Sequence, residues 1–335
     1  MTEESFRLGS AGPTIRSPMG MGLWSWGDAM TWGYGSYDPA LTSATMKGAY
    51  SACLAGGCNL FDTAESYGGG LWGGWGASER FLAACLKDSE QEAQPGPAPV
   101  VVSKYIPLPW RIREPCSTLN ALQATVKRLD VDAVDLYLIH SPAATFNSIK
   151  TLASSLAAAV DSTQARHVGV SNYSAQEVRE THRVLAERGI PLAANQVEFS
   201  LLHALPDRGG LLDTCNELGV GLMAYSPLAM GRLTGKYSAT NKPRGARRFG
   251  DVPFDQIQPL VDLLSSLGQV HGGKTPAQVA LNWLICKGAV PIPGAKNADQ
   301  AKANTGALGW RLSSGDVEEL DGLALEGRLK FGQHG

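Results

Sequence analysis

Short apolar runs alternate with longer stretches of helical periodicity along the whole chain. The runs fall at 19–22, 59–62, 100–104, 136–140, 168–172, 194–196, 223–227 and 290–294. They lack polar alternation, which suits strands buried on both faces of a parallel sheet. The stretches between them carry the stripes and end signals of helices. Met46, Ala49, Tyr50, Cys53 and Leu54 gather on one helical face, and Leu119, Leu122, Val126 and Leu129 repeat the stripe. Ser174 with Glu177, and Thr275 with Pro276 and Gln278, have capping-box spacing, while Gly189 and Gly288 follow as stops. Eight strand–helix repeats predict an α/β fold, a single (β/α)8 TIM barrel, with a doubly wound open sheet as the alternative.

Three segments break the alternation. Residues 88–99 read as a solvated loop, residues 68–78 are glycine-rich with Trp72 and Trp75, and residues 235–252 carry Lys236, Lys242, Arg244, Arg247 and Arg248. Strand–helix alternation resumes after each, so none is a domain linker and residues 1–335 read as one domain. Composition agrees, with 44% hydrophobic and 18% charged residues supplying a sizeable core. A net charge of −2 gives no global attraction for nucleic acid or an anionic membrane. No apolar run approaches the ~20 residues that span a bilayer. There are 39 glycines, above the usual share of about 7%, and no collagen period. The excess belongs to turns, caps and ligand loops. Six scattered cysteines read as reduced core thiols.

In a parallel barrel the C-terminal strand ends carry the chemistry. Those ends are Asp62, Lys104, His140, Asn172, Gln196 and Tyr225. Any one strand has to end in something polar. That plain explanation offers no reason for an acid, a lysine and a histidine at three successive ends. The segments FDTAESYG, VVSKY, LIHSP, VGVSNY, ANQVEFS, AYSPLAMGRLTGKY and PIPGAKNADQAKANTGAL stand in an order that resembles the signature of the aldo-keto reductase superfamily. The likeness runs from about residue 17 to 325, and the two ends of the chain look similar to a plant and algal, often plastid, branch. A short N-terminal β-hairpin and long loops at the C-terminal barrel face go with that resemblance.

The resemblance implies a tetrad of Asp62, Tyr67, Lys104 and His140 that reduces an aldehyde or ketone to the alcohol with NADPH/NADP+ as cofactor. Tyr67 would be the general acid. An ordinary phenol titrates near pH 10, so the Lys104 ammonium is expected to lower that value, with Asp62 holding the lysine and His140 orienting the carbonyl. Glu65, between Asp62 and Tyr67, reads as a solvated turn residue. By the same matching, Ser171, Asn172 and Gln196 would hold the nicotinamide amide and Tyr225 would stack on its ring. Gly22 and Trp24 adjoin the cofactor, as does Gly294. Ser226, Pro227, Leu228, Gly231 and Arg232 would wrap the pyrophosphate. Lys296 would meet the 2′-phosphate, with Gln300 and Asn304 nearer the adenosine. Ala303 departs from the Glu many relatives carry, which removes one hydrogen bond to adenine. Arg247 or Arg248 is a candidate clamp on the nucleotide.

Trp26, Trp110 and Tyr173 are the aromatic residues expected to line a substrate pocket. The expected partner is a small-molecule carbonyl compound, with aldehyde detoxification as its setting. Nucleic acid and membrane insertion are not expected, and the protein is expected to be a monomer or weak homo-oligomer. No metal site is expected, because Lys104 would crowd a cation with its own charge and His140 has no second histidine at ligand spacing. The alternative function is a slow-turnover NADP(H)-binding regulatory subunit resembling channel-associated β subunits. The N-terminus, with Glu3 and Glu4, has the features of neither a secretory signal nor a transit peptide. The expected location is the chloroplast stroma if a transit peptide preceded this numbering, and otherwise the cytoplasm.

Overall fold

A computed structural model describes residues 5–68, 75–91, 98–143, 145–243 and 252–335. An antiparallel hairpin of β1 (Phe6–Arg7) and β2 (Thr14–Ile15) comes first. Eight parallel strands follow: β3 (Gly20–Gly22), β4 (Leu60–Asp62), β5 (Val100–Tyr105), β6 (Val134–Ile139), β7 (Ala165–Ser171), β8 (Leu192–Glu198), β9 (Gly221–Tyr225) and β10 (Val290–Pro291). They pair in chain order, and a parallel bridge between Gly22 and Gly294 joins the two edges into a barrel. The expected (β/α)8 TIM barrel and its N-terminal hairpin are therefore present, and the open-sheet alternative is not.

The helices alternate with these strands. They are α1 (Ser43–Ala55), α2 (Ala77–Gln91), α3 (Cys116–Leu129), α4 (Ile149–Asp161) and α5 (Ala175–Ala186), then the short α6 (Leu205–Arg208) and α7 (Leu211–Glu217). α8 (Phe254–Val270) and α9 (Pro276–Cys286) precede β10, and α10 (Ala298–Thr305) and α11 (Ser314–Leu323) follow it. Both expected capping boxes form, at Ser174–Glu177 and Thr275–Gln278. Gly189 and Gly288 take the left-handed φ values, 67° and 83°, that end α5 and α9.

Strand side chains alternate between two apolar clusters. Leu60, Val100, Val102, Leu136, Leu138, Ala194, Met223 and Val290 pack with Leu8 and Ile15 of the hairpin inside the barrel. Their neighbours Phe61, Val101, Tyr137, Ile139, Val168, Val170, Val197 and Leu222 pack outward under the helices. The hairpin closes the floor, where the Ser10 amide donates to the Gly219 carbonyl at 2.7 Å. At the opposite end the inward series continues by one more step of two. Leu60 leads to Asp62, Val102 to Lys104, Leu138 to His140, Ala194 to Gln196 and Met223 to Tyr225. The same parity brings Ser171 inward after Gly169. Period-two geometry thus puts Asp62, Lys104, His140, Gln196 and Tyr225 on the inner face of the mouth, while Asn172 lies one residue past β7 with a left-handed φ of 63°.

Candidate active site

Lys104 is the centre of the site and is fully buried. Its Nζ lies 2.6 Å from Asp62 Oδ2, 2.8 Å from the Thr63 carbonyl oxygen and 3.3 Å from the Tyr67 hydroxyl. Gln196 Nε2 donates to the other Asp62 oxygen at 2.7 Å, so the acid is held on both sides. Tyr67 arrives from the turn after β4, and its ring meets the His140 ring edge-on at 5.6 Å between centroids. Ser66 Oγ lies 3.4 Å from His140 Nδ1. All four tetrad residues are brought together.

Burial dominates the electrostatics of the site. Burial pushes the Asp62 carboxyl up and the Lys104 ammonium down, each opposed by the partner's charge. Burial, with the Lys104 charge adding to it, pulls the His140 imidazole down to about 3. One expectation is corrected here. Lys104 does reach the Tyr67 oxygen, yet burial and then the Asp62 charge hold the phenol well above its ordinary value. Tyr67 keeps its proton at every ordinary pH.

The tetrad borders a cavity of about 850 Å³. Asp62, Tyr67 and His140 line it, while Lys104 sits behind Tyr67. Of the expected cofactor residues, Gly22, Trp24, Ser171, Asn172, Gln196, Tyr225, Ser226, Pro227, Leu228, Gly231, Gly294, Lys296, Gln300 and Asn304 line the same cavity, as does Ala303. Asn172 is held from two sides: its Nδ2 donates to the His140 carbonyl at 2.9 Å, and its Oδ1 accepts from the Tyr225 hydroxyl at 2.9 Å. Gly22 is required to be small, because a Cβ there would come within 2.8 Å of the Ile292 carbonyl oxygen. Gly231 has φ +93° in a 3-10 turn (Ala229–Thr234), a conformation that favours glycine.

Several expectations are corrected. Arg232 turns into the protein, donates to the Val252 carbonyl at 2.8 Å and lies over the Phe254 ring, away from the cavity lining. Trp26 is fully buried, with its indole N–H on the Ala295 carbonyl at 3.1 Å, and Tyr173 is fully buried in the outer core. Trp110 is 73% exposed. None of these three rings lines the cavity. Glu65 is buried and ion-paired with Arg111, not solvated. Trp72, Arg244, Arg247 and Arg248 lie outside the described residues.

Sequence reasoning assigned no role in the site to several groups, Ser25, Asp38 and Ser66 among them. Ser25 lines the cavity, and its buried hydroxyl has no hydrogen-bond partner among the described residues. Trp32 and Asp38 line it from the same loop, and Ser66 from beside Tyr67. The signal for Ser25 was available, since it follows the strand whose Gly22 and Trp24 were read as cofactor contacts. Asp38 had none, because its approach to Lys296 spans 258 residues.

Comparison with known proteins agrees with this geometry. Residues 18–325 match the model described as "Aldo/keto reductase family". Over 321 residues the chain is 40% identical to a chloroplastic pyridoxal reductase of Arabidopsis thaliana, covering 94% of this chain and 85% of that protein. It is 32% identical over 231 residues to an L-glyceraldehyde 3-phosphate reductase of Escherichia coli, covering 64% and 65% of the two chains. Among solved structures, the thermostable aldo-keto reductase Tm1743 in complex with the inhibitor epalrestat superposes with a TM-score of 0.73 at 29% identity, covering 95% of this chain and 99% of that one. The regulatory-subunit alternative gains no support from these relatives. Among the described residues no helix is long and apolar enough to cross a membrane, and no cluster of three or more His, Cys, Asp or Glu side chains is arranged to hold a metal. The motif order, the barrel and the two thirds or more of each chain shared with its plant and solved relatives make this chain a member of the aldo/keto reductase family, an oxidoreductase that reduces carbonyl groups.

Proposed function

We propose that the protein reduces an aldehyde or ketone to its alcohol with NADPH, and that Tyr67 donates the proton. The observation that carries this reading is the Lys104 ammonium, in contact with both Asp62 and Tyr67, which line the same cavity as Lys296. The lining fits a dinucleotide. Gly22 keeps the wall thin, the buried Ser25 hydroxyl offers an unused donor, and Lys296 directly precedes the N-cap of α10, where positive charge and free amides favour an anion. NADPH, when bound, supplies a hydride to the carbonyl carbon.

The chain's own residues do the rest. Tyr67 passes its hydroxyl proton to the carbonyl oxygen, which becomes the alcohol O–H, and the phenolate left behind recovers a proton from solvent. Lys104 stabilises that phenolate across 3.3 Å, an interaction stronger in the transition state than before it. Asp62 and Gln196 keep the ammonium in place. Neutral His140 is free to hydrogen-bond the substrate oxygen. Asn172 accepts from the Tyr225 hydroxyl, a tie that would help hold the ring against a nicotinamide. The plant relative's name makes pyridoxal the first aldehyde to test, and the same likeness supports a plastid location.

The test is a screen of NADPH oxidation across pyridoxal, aromatic aldehydes, short unsaturated aldehydes and ketosteroids, with Tyr67→Phe as the control. Loss of one positioned proton donor should lower kcat about 10²–10⁴-fold while NADPH binding stays within about twofold. Near-normal turnover by Tyr67→Phe would remove the proton-donor assignment.

A further inference from the structure

The loop at 23–41, between β3 and α1, has no regular secondary structure, yet its own contacts brace it. Asp28 Oδ1 accepts from the amides of Thr31 and Trp32 at 2.6 and 3.0 Å, and Trp24 meets Trp32 edge-to-face at 5.6 Å. From this braced loop Asp38 reaches Lys296, with Oδ2 2.6 Å from Nζ. The Trp32 carbonyl oxygen accepts from the same Nζ at 2.9 Å, and the ammonium lies 5.4 Å from the Trp32 ring centroid. Asp38 and Lys296 both line the cavity and are only 25% and 14% exposed as side chains.

The cation offered to a 2′-phosphate is thus already matched by a carboxylate. An ammonium has three protons to donate, and two are committed to this loop. A phosphate arriving at Lys296 has either to displace Asp38 or to sit beside a like charge, and like charges in contact are strongly unfavourable. NADH brings a neutral ribose diol to the same place and meets neither cost. A carboxylate is moreover a good acceptor for ribose hydroxyls, as acidic residues show in other dinucleotide sites.

We propose that Asp38 is a specificity-determining residue that narrows the preference for NADPH over NADH by competing with the 2′-phosphate for Lys296. This rests on the reading of Lys296 as the phosphate contact. Two consequences separate it from a purely structural ion pair. Removing the Asp38 charge should tighten one nucleotide and not the other. The effect should also require Lys296.

The experiment is equilibrium titration with NADPH and with NADH, followed by tryptophan fluorescence, since Trp24 and Trp32 line the cavity. Wild type, Asp38→Asn, Asp38→Ser and Lys296→Met are compared, with near-ultraviolet circular dichroism checking the fold of each. Asp38→Asn and Asp38→Ser should lower the NADPH Kd by about tenfold or more and leave the NADH Kd within about twofold or weaker. Lys296→Met should weaken NADPH selectively, and the double variant Asp38→Asn/Lys296→Met should show no gain over Lys296→Met. If Lys296→Met weakens NADPH but neither Asp38 variant changes the NADPH-to-NADH ratio, the role of Asp38 is overturned and the phosphate contact stands. If Lys296→Met affects both nucleotides equally, the phosphate contact falls and the proposal falls with it.

Discussion

An imidazole recessed in a cavity wall beside a buried ammonium resists taking up a proton. Burial first, and the Lys104 charge second, bring His140 down to about 3, so it is neutral from mildly acidic pH upward. Tyr67 is displaced the other way and stays protonated past the ordinary phenol range. The signs combine simply. A depressed histidine takes up a proton only below the working range, and a raised tyrosine loses its proton only above it. The kcat/KM of NADPH-driven reduction, which reports the free enzyme, should therefore be flat from about pH 5 to 9, with no inflection near the usual histidine value of about 6.5. A step between pH 6 and 7 that disappears in His140→Asn would show that His140 titrates normally and that burial does not hold it neutral.

Between residues and the whole barrel stand the loops that shape the mouth. Arg111, in the β5–α3 loop, holds both oxygens of Glu65 from the turn after β4 and donates to the Ile106 carbonyl at 3.1 Å. Its guanidinium lies near the Trp75 and Tyr105 rings, and Asn147 beyond β6 donates to its carbonyl at 2.9 Å. Three successive mouth loops are tied through one residue, Arg111, by its side chain and its carbonyl. Arg111→Met should leave Glu65 buried without its cation and cost about 3–5 kcal/mol, read as a lower urea midpoint. Glu65→Leu/Arg111→Met should recover most of that loss. An unchanged midpoint in the single variant would show that the tie is no more than a surface pair.

These elements also mark how far the sequence could be read. Ser174 with Glu177 and Thr275 with Gln278 are local signals, because a cap and its partner are three residues apart, and both formed as expected. Strand ends were legible for the same reason: parity along β4, β5 and β6 decides where Asp62, Lys104 and His140 point. Rings in loops were not legible. Trp26 and Tyr173 follow strands just as Trp24 and Asn172 do, but a side chain without a sheet to fix its face turns wherever packing is best, and theirs turned into the core. Arg232 was lost similarly, since the left-handed backbone at Met230 and Gly231 swings it onto Phe254. Glu65 was misread because its partner Arg111 comes from a different loop.

For the molecule as a whole, the barrel interior has to be sealed at one end for the other to work as a cavity. The hairpin supplies that seal with two side chains, Leu8 and Ile15, both essentially inaccessible and both in the inner cluster with Leu60, Val102 and Met223. The apolar interior draws side chains from β4, β5, β6, β8, β9 and β10, so a void there weakens the barrel and not merely the hairpin. Leu8→Ala should lower the unfolding free energy by about 2–5 kcal/mol, the usual range for a buried leucine whose surroundings cannot collapse. Leu8→Met keeps the volume and should cost less than about 1.5 kcal/mol. Leu8 packs at the floor, away from the cavity residues proposed to hold the nucleotide, so NADPH Kd should stay within about twofold in both variants. A Leu8→Ala protein with an unchanged unfolding midpoint would show that the hairpin only rests on the barrel. One that loses stability and nucleotide affinity together would show that the inner cluster transmits floor packing to the site.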